Sequence, residues 1–221
     1  MPFNLAFAHP WDVSIAEAKQ LQFELAQHVI LDDQFTPPQH VAGVDVGFEQ
    51  KGKITRAAIV VLRYPELTLV DKSLARCKTV FPYVPGYLSF RELPSVLQAL
   101  DQLHTIPDMF LCDGQGIAHP RRFGIASHLG VLTDIPSIGV AKSRLIGTYQ
   151  EPGPNKGDHS DLYDGDEQIG VVLRTRMQVK PLYISPGHRI SFSSACQWVL
   201  NCTTRYRLPE TTRHAHRLAS G

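Results

Sequence analysis

The stretch from His40 to Lys78 constrains this chain most. Three strand-like runs, His40 to Phe48, Ile54 to Leu62 and Leu67 to Lys78, follow one another with connections as short as Glu49-Gln50-Lys51-Gly52 and Tyr64-Pro65-Glu66. Links this short cannot hold the crossover that parallel neighbours require, so the runs are expected to pair as an antiparallel meander. The pattern then changes. Leu93 to Leu103 reads as a helix, and Met109 to Cys112 is a short, wholly apolar run of the kind buried in parallel sheets. A helix followed by a buried strand implies a right-handed crossover. A further helix near Arg122 to Leu132, strands at Ser137 to Ala141, Ile169 to Arg174 and Leu182 to Ser185, and a helix from Ser191 to Cys202 complete the reading. A meander followed by crossovers is an α/β fold, with a mixed sheet flanked by helices.

Upstream, Ser14 followed by Glu17 is a capping box, and Ala18, Leu21, Leu25 and Val29 recur at helical spacing, which marks an N-terminal helix. Gly153 to Glu167, rich in Gly, Asp and Pro, is expected to be an exposed loop. It is not a calcium loop, because the alternating acidic positions and terminal glutamate of that motif are missing. No repeat or linker divides the chain, so residues 1–221 are expected to form one domain.

A protein that coats nucleic acid indiscriminately is usually far more basic than the net charge of +1 here, so any such contact must be local. Arg121-Arg122, Lys142 with Arg144, His188-Arg189, and Arg205 with Arg207 are the candidate patches, although any one of them taken alone reads first as solvated surface. Cys77, Cys112, Cys196 and Cys202 form no Cys-x-x-Cys pair, which argues for reduced thiols and against zinc. The amino terminus has no basic leader, and no apolar run reaches membrane-spanning length. A cytoplasmic protein with no membrane partner is expected, and a monomer.

Asp45 interrupts the apolar run Val41-Ala42-Gly43-Val44-Asp45-Val46-Gly47, and Asp113 ends Phe110-Leu111-Cys112-Asp113. A charge in such surroundings needs compensation. If the first and fourth strands are neighbours, the two carboxylates converge, and either one is protonated or a cation lies between them. Oxygen donors of this kind favour magnesium or manganese. Glu92 offers a third oxygen, but Ser89-Phe90-Arg91-Glu92 is itself a capping box, which accounts for Glu92 without a metal; both readings stay open.

Phe81-Pro82-Tyr83-Val84-Pro85-Gly86, Ser89-Phe90-Arg91-Glu92, Asp113-Gly114-Gln115-Gly116-Ile117-Ala118-His119-Pro120-Arg121-Arg122, Gly139-Val140-Ala141-Lys142 and Gly187-His188-Arg189-Ile190-Ser191 resemble, in order, the motifs of endonuclease V. The resemblance runs from about Val41 to Tyr206-Arg207-Leu208-Pro209-Glu210. It implies a ribonuclease-H-like fold and a magnesium site on Asp45, Glu92 and Asp113, with manganese as substitute. It places His119 near the scissile phosphate and Lys142 where negative charge develops. It places an aromatic wedge on Tyr83, where Pro82 and Pro85 pre-set the backbone, and a pocket of main-chain groups on Gly86, Leu88 and Gly114. Arg121 and His188, within the motifs, become candidate substrate contacts. His216 falls near the metal, although its His-x-His setting also reads as a frayed tail. Gln115 stands where many relatives carry His.

The activity implied is a metal-dependent endonuclease of DNA repair, leaving 5′-phosphate ends. It would recognise hypoxanthine in deoxyinosine-containing DNA and hydrolyse the second phosphodiester on its 3′ side. Rival readings are an inosine-specific endoribonuclease, with inosine-containing RNA or single strands as partners, a silent binder of damaged nucleic acid, and a general nuclease of hybrid duplexes.

Overall fold

The computed structural model describes residues 3–221. One eight-stranded sheet, in the order β3-β2-β1-β4-β5-β8-β7-β6, carries five helices. Strands β1 (His40–Glu49), β2 (Ile54–Arg63) and β3 (Thr68–Lys78) pair antiparallel, as their short links require. Helix α1 (Ile15–Ala26) precedes them, and its capping box is formed: Ser14 Oγ accepts from Glu17 N while a Glu17 oxygen accepts from Ser14 N.

Helix α2 (Leu88–Asp101) then crosses over to β4 (Met109–Cys112), which lies parallel to β1. Helix α3 (Ile125–Thr133) returns the chain to β5 (Ser137–Ala141), parallel to β4. The sheet is completed by β6 (His159–Asp164), β7 (Glu167–Leu173) and β8 (Leu182–His188), all antiparallel, followed by α4 (Phe192–Asn201) and α5 (Glu210–Ser220).

Alternation along β1 sorts the two faces. Ala42 and Val44 pack with Leu93, Val96 and Leu129 under α2 and α3. Val41 faces the other way, into a core shared with Val199 of α4 and Ala215 of α5. On that second face a Cβ at Gly43 would lie 2.0 Å from the Thr211 carbonyl oxygen, so α5 lies on bare backbone of β1.

Three expectations are corrected. The segment 153–167 is not all loop, because β6 lies inside it and pairs with β7, which begins at its last residue. The His-x-His tail is not frayed, because it belongs to α5. Ser89 and Glu92 do not form a capping box: α2 begins at Leu88 without a side-chain cap, and Ser89 Oγ pairs with His128 Nδ1 at 3.0 Å.

Candidate active site

Backbone pairing brings the two strand-borne aspartates together. Val44 is opposite Cys112, and Asp113 N–H donates to Val44 O at 2.9 Å, so Asp45, midway along β1, and Asp113, just past the end of β4, stand side by side on adjacent parallel strands. Asp45 is 8% exposed; one oxygen accepts from Val46 N at 2.8 Å and the other pairs with His216 Nδ1 at 2.6 Å. Asp45, Asp113 and His216 each present a ligand atom within 4.8 Å of the others. Asp113 also pairs with the Lys142 ammonium, which extends from the end of β5. Glu92, in the second turn of α2, is buried and close enough to feel both aspartate charges, but it is not one of the three residues whose ligand atoms lie within 4.8 Å of one another.

Burial and mutual repulsion set the electrostatics. Desolvation, and then the Asp113 charge, hold the Asp45 carboxyl above its usual range, while the His216 contact acts in the opposite direction. Glu92 is pushed up well beyond an ordinary glutamate by burial first and by Asp45 and Asp113 next. A cluster that strains against its own ionisation is one that a divalent cation relieves. Carboxylate oxygens with one imidazole suit magnesium or manganese, so the residues present fit such an ion.

A cleft of about 370 Å³ adjoins the carboxylates, within the range of ligand pockets. Asp113 and Lys142 form part of its wall, together with Tyr83, Gly86, Leu88 and Gly114. The N-terminal ends of α2 and α3 both face it, and Leu88 and Ser89 N–H have no backbone partner among the described residues. Free N–H groups at a helix start favour acceptor atoms and anions. Tyr83 stands at the rim, 71% exposed, while Pro82 is exposed outside the cleft.

The loop carrying Tyr83 is braced from several sides. Gly86 has φ +80°, and its carbonyl accepts from Gln22 Nε2 at 3.0 Å, His119 Nε2 at 3.0 Å and an Arg121 terminal nitrogen at 2.5 Å. His119 must carry its proton on Nε2 to make that bond, because Nδ1 accepts from Arg121 N at 3.2 Å. Burial and the neighbouring Arg121 lower its pKa to about 4, so the ring is neutral near pH 7. Here His119 and Arg121 hold the loop in place. The Arg121 guanidinium also lies 4.2 Å from the Tyr87 ring centroid.

His188 is not part of this assembly. It lies opposite Ser137, at the start of β5 and thus the far end of that strand from Lys142; it is 3% exposed and pairs with Asp134 at 3.1 Å. Gln115 does line the cleft, where Nε2 donates to Ser143 O at 3.1 Å. Its buried Oε1 has no partner among the described residues.

Sequence reasoning passed over two braces. Gln22 is fully buried on α1, where only the apolar spacing had drawn attention. Arg91 donates to Phe81 O and to Gly52 O, both at 3.0 Å, anchoring the root of the Tyr83 loop to the β1–β2 turn. A polar residue among apolar helical positions was the available signal for Gln22, and Arg91 stood within the Ser89-Phe90-Arg91-Glu92 motif with no role assigned to it.

A mixed sheet with carboxylates side by side on two adjacent parallel strands, and helices on both faces, defines a ribonuclease-H-like protein of the nuclease class. The chain belongs to the endonuclease V family, whose family model, described as Endonuclease V, matches residues 23–217. A protein named Endonuclease V from Alkalilimnicola ehrlichii is 57% identical over 224 residues, covering 100% of this chain and 97% of its own. The crystal structure of endonuclease V from Streptomyces avermitilis has a TM-score of 0.91 at 46% identity, covering 95% of this chain and 93% of that one. The Ciona intestinalis endonuclease V, in complex with a 24-mer DNA containing an inosine followed by a ribo-adenosine, has a TM-score of 0.79 at 30% identity, covering 93% and 96%.

Proposed function

We propose that this chain is a magnesium-dependent endonuclease that recognises inosine in DNA and hydrolyses the second phosphodiester bond on its 3′ side. One observation carries the reading: Asp113 belongs both to the carboxylate cluster and to the wall of a cleft of about 370 Å³. A base seated in the cleft therefore brings the backbone that follows it on the 3′ side to the cluster. Asp45, Glu92, Asp113 and His216 would hold the cation, which when bound polarises a phosphate and makes water more acidic.

The side chains and backbone supply the rest. Tyr83, exposed on a loop braced before any ligand arrives, fills the gap left in the stack by an extruded base. Because the Gly86 carbonyl already accepts three donors, the start of α2 offers N–H groups to the base. Hypoxanthine presents an acceptor oxygen where adenine carries an amino donor, so those N–H groups favour the deaminated base. Lys142, beside Asp113, steadies the negative charge that grows on the phosphate during cleavage.

The test is a labelled duplex with a single inosine, incubated with and without magnesium, and the position of the cut read at nucleotide resolution. Matched DNA and RNA strands run in parallel decide between the deoxyribonuclease and ribonuclease readings. Asp45→Ala is expected to abolish cleavage and retain binding; full activity in that variant overturns the assignment.

A further inference from the structure

We propose that the Arg205–Arg207 segment and the exposed stripe of α5 form a track for the nucleic-acid backbone beyond the cut, separate from the base cleft and taking the strand by its phosphates. The inference rests on the endonuclease reading above for the path of the strand.

The stripe starts at the carboxylates. Arg213, His216 and Arg217 are three and four residues apart on α5 and so share one side of the helix. His216 is the residue in contact with Asp45. The preceding segment is tied to the same place, since an Arg207 terminal nitrogen donates to Lys142 O at 3.1 Å and to Pro181 O at 2.7 Å. The cleft lies at the starts of α2 and α3, and no residue of this segment or of α5 lines it. Helix α5 packs on the opposite face of the sheet. A strand anchored in the cleft and drawn past Asp113 and Asp45 therefore meets α5 next. With cleavage on the 3′ side of inosine, that portion is the 3′ arm.

The charges suit a polyanion. Tyr206 is 44% exposed, with the Arg213 guanidinium 4.7 Å and the Arg205 guanidinium 5.7 Å from its ring centroid. A ring face orients a guanidinium without neutralising it and leaves the N–H edge free for phosphate oxygens. Glu210 pairs with Arg213, lies near His214 and accepts from Thr204, so it offsets part of the patch. Arg205 and Arg217 are exposed and form no ion pair among the described residues. For a chain of net charge +1, two uncompensated cations on this segment and helix are a substantial local asymmetry.

Two readouts test this on the full-length protein. The first is anisotropy of an unmodified labelled single strand without divalent metal, measured across a salt series. The double variant Arg205→Ala/Arg217→Ala is expected to flatten the slope of log affinity against log salt by roughly 1.4, at about 0.7 per phosphate contact on a single strand. Tyr206→Leu is expected to weaken binding, whereas Tyr206→Phe, which keeps the ring face, retains the wild-type slope. The second is KM for inosine strands whose 3′ or 5′ arm is progressively shortened. Shortening the 3′ arm is expected to raise KM for the wild type and to have little effect on the double variant. An unchanged salt slope in the double variant overturns the track, as does arm-length dependence confined to the 5′ side. Failure of every protein to cut inosine strands would refute the endonuclease reading instead, while the anisotropy series still decides whether the track exists.

Discussion

Replacing Glu92 by glutamine isolates the electrostatic strain of the cluster. Glu92 is 6% exposed, and its pKa in the folded chain stands well above its ordinary 4.5. Between those two values the folded protein keeps a proton that the unfolded chain has lost. The unfolded state therefore binds fewer protons, and stability of the metal-free protein falls as pH rises. The slope from one such group is about 1.4 kcal/mol per pH unit. Glu92→Gln removes it. Above the ordinary glutamate value the variant is therefore expected to gain on the wild type with rising pH until the raised folded value is passed, and one pH unit of that slope is worth roughly 3–6 °C in Tm for a chain of this size. Below the ordinary glutamate range both states are protonated, and this advantage vanishes. Thermal unfolding in EDTA at several pH values measures the effect, and saturating manganese should raise the wild-type Tm much more than that of the variant. A variant no more stable than wild type at pH 7, or a gain that stays constant with pH, would refute the reasoning.

Tyr83→Ala, at a position 71% exposed, is expected to leave Tm unchanged while lowering kcat/KM on an inosine duplex. Loss of one stacking contact is worth about 1–3 kcal/mol, or roughly 5- to 150-fold, and steady-state kinetics beside a melt reads both effects. His188→Ala is expected to do the reverse, because it removes a buried partner of Asp134 far from the cleft. A Tm loss equivalent to about 1–3 kcal/mol with unchanged KM fits that placement, and an altered KM with unchanged Tm contradicts it.

Much of the fold was legible because its signals are local. Short links dictated the meander, and the wholly apolar Met109–Cys112 run read as the buried parallel strand it is. Asp45 and Asp113 were expected to converge if the first and fourth strands were neighbours, and the structure pairs those strands. Strand β6 escaped because it is an edge strand in which only Leu162 is buried, so its polar sequence reads as loop. Helix α5 escaped for a related reason: it buries Thr211, Thr212, Ala215 and Ala219 against glycine-bearing backbone and shows no large apolar stripe. The supposed cap at Ser89 failed because α2 starts two residues earlier than such a cap would have it, with Tyr87 in the cap position, and the Ser89 hydroxyl pairs with His128 instead. The clamp on the Gly86 carbonyl joins Gln22 to His119 and Arg121 across 99 residues of chain, and nothing local announces such a contact.

The bare backbone at Gly43 reaches further than its size implies. Any side chain there would run into the Thr211 carbonyl and lever the last helix outward. Because that helix holds His216 against Asp45, a methyl group two residues upstream of the aspartate could unseat the imidazole while every acidic ligand kept its identity. Hydrolysis in this fold is thus vulnerable at a position with no chemistry of its own, where emptiness is the property that matters.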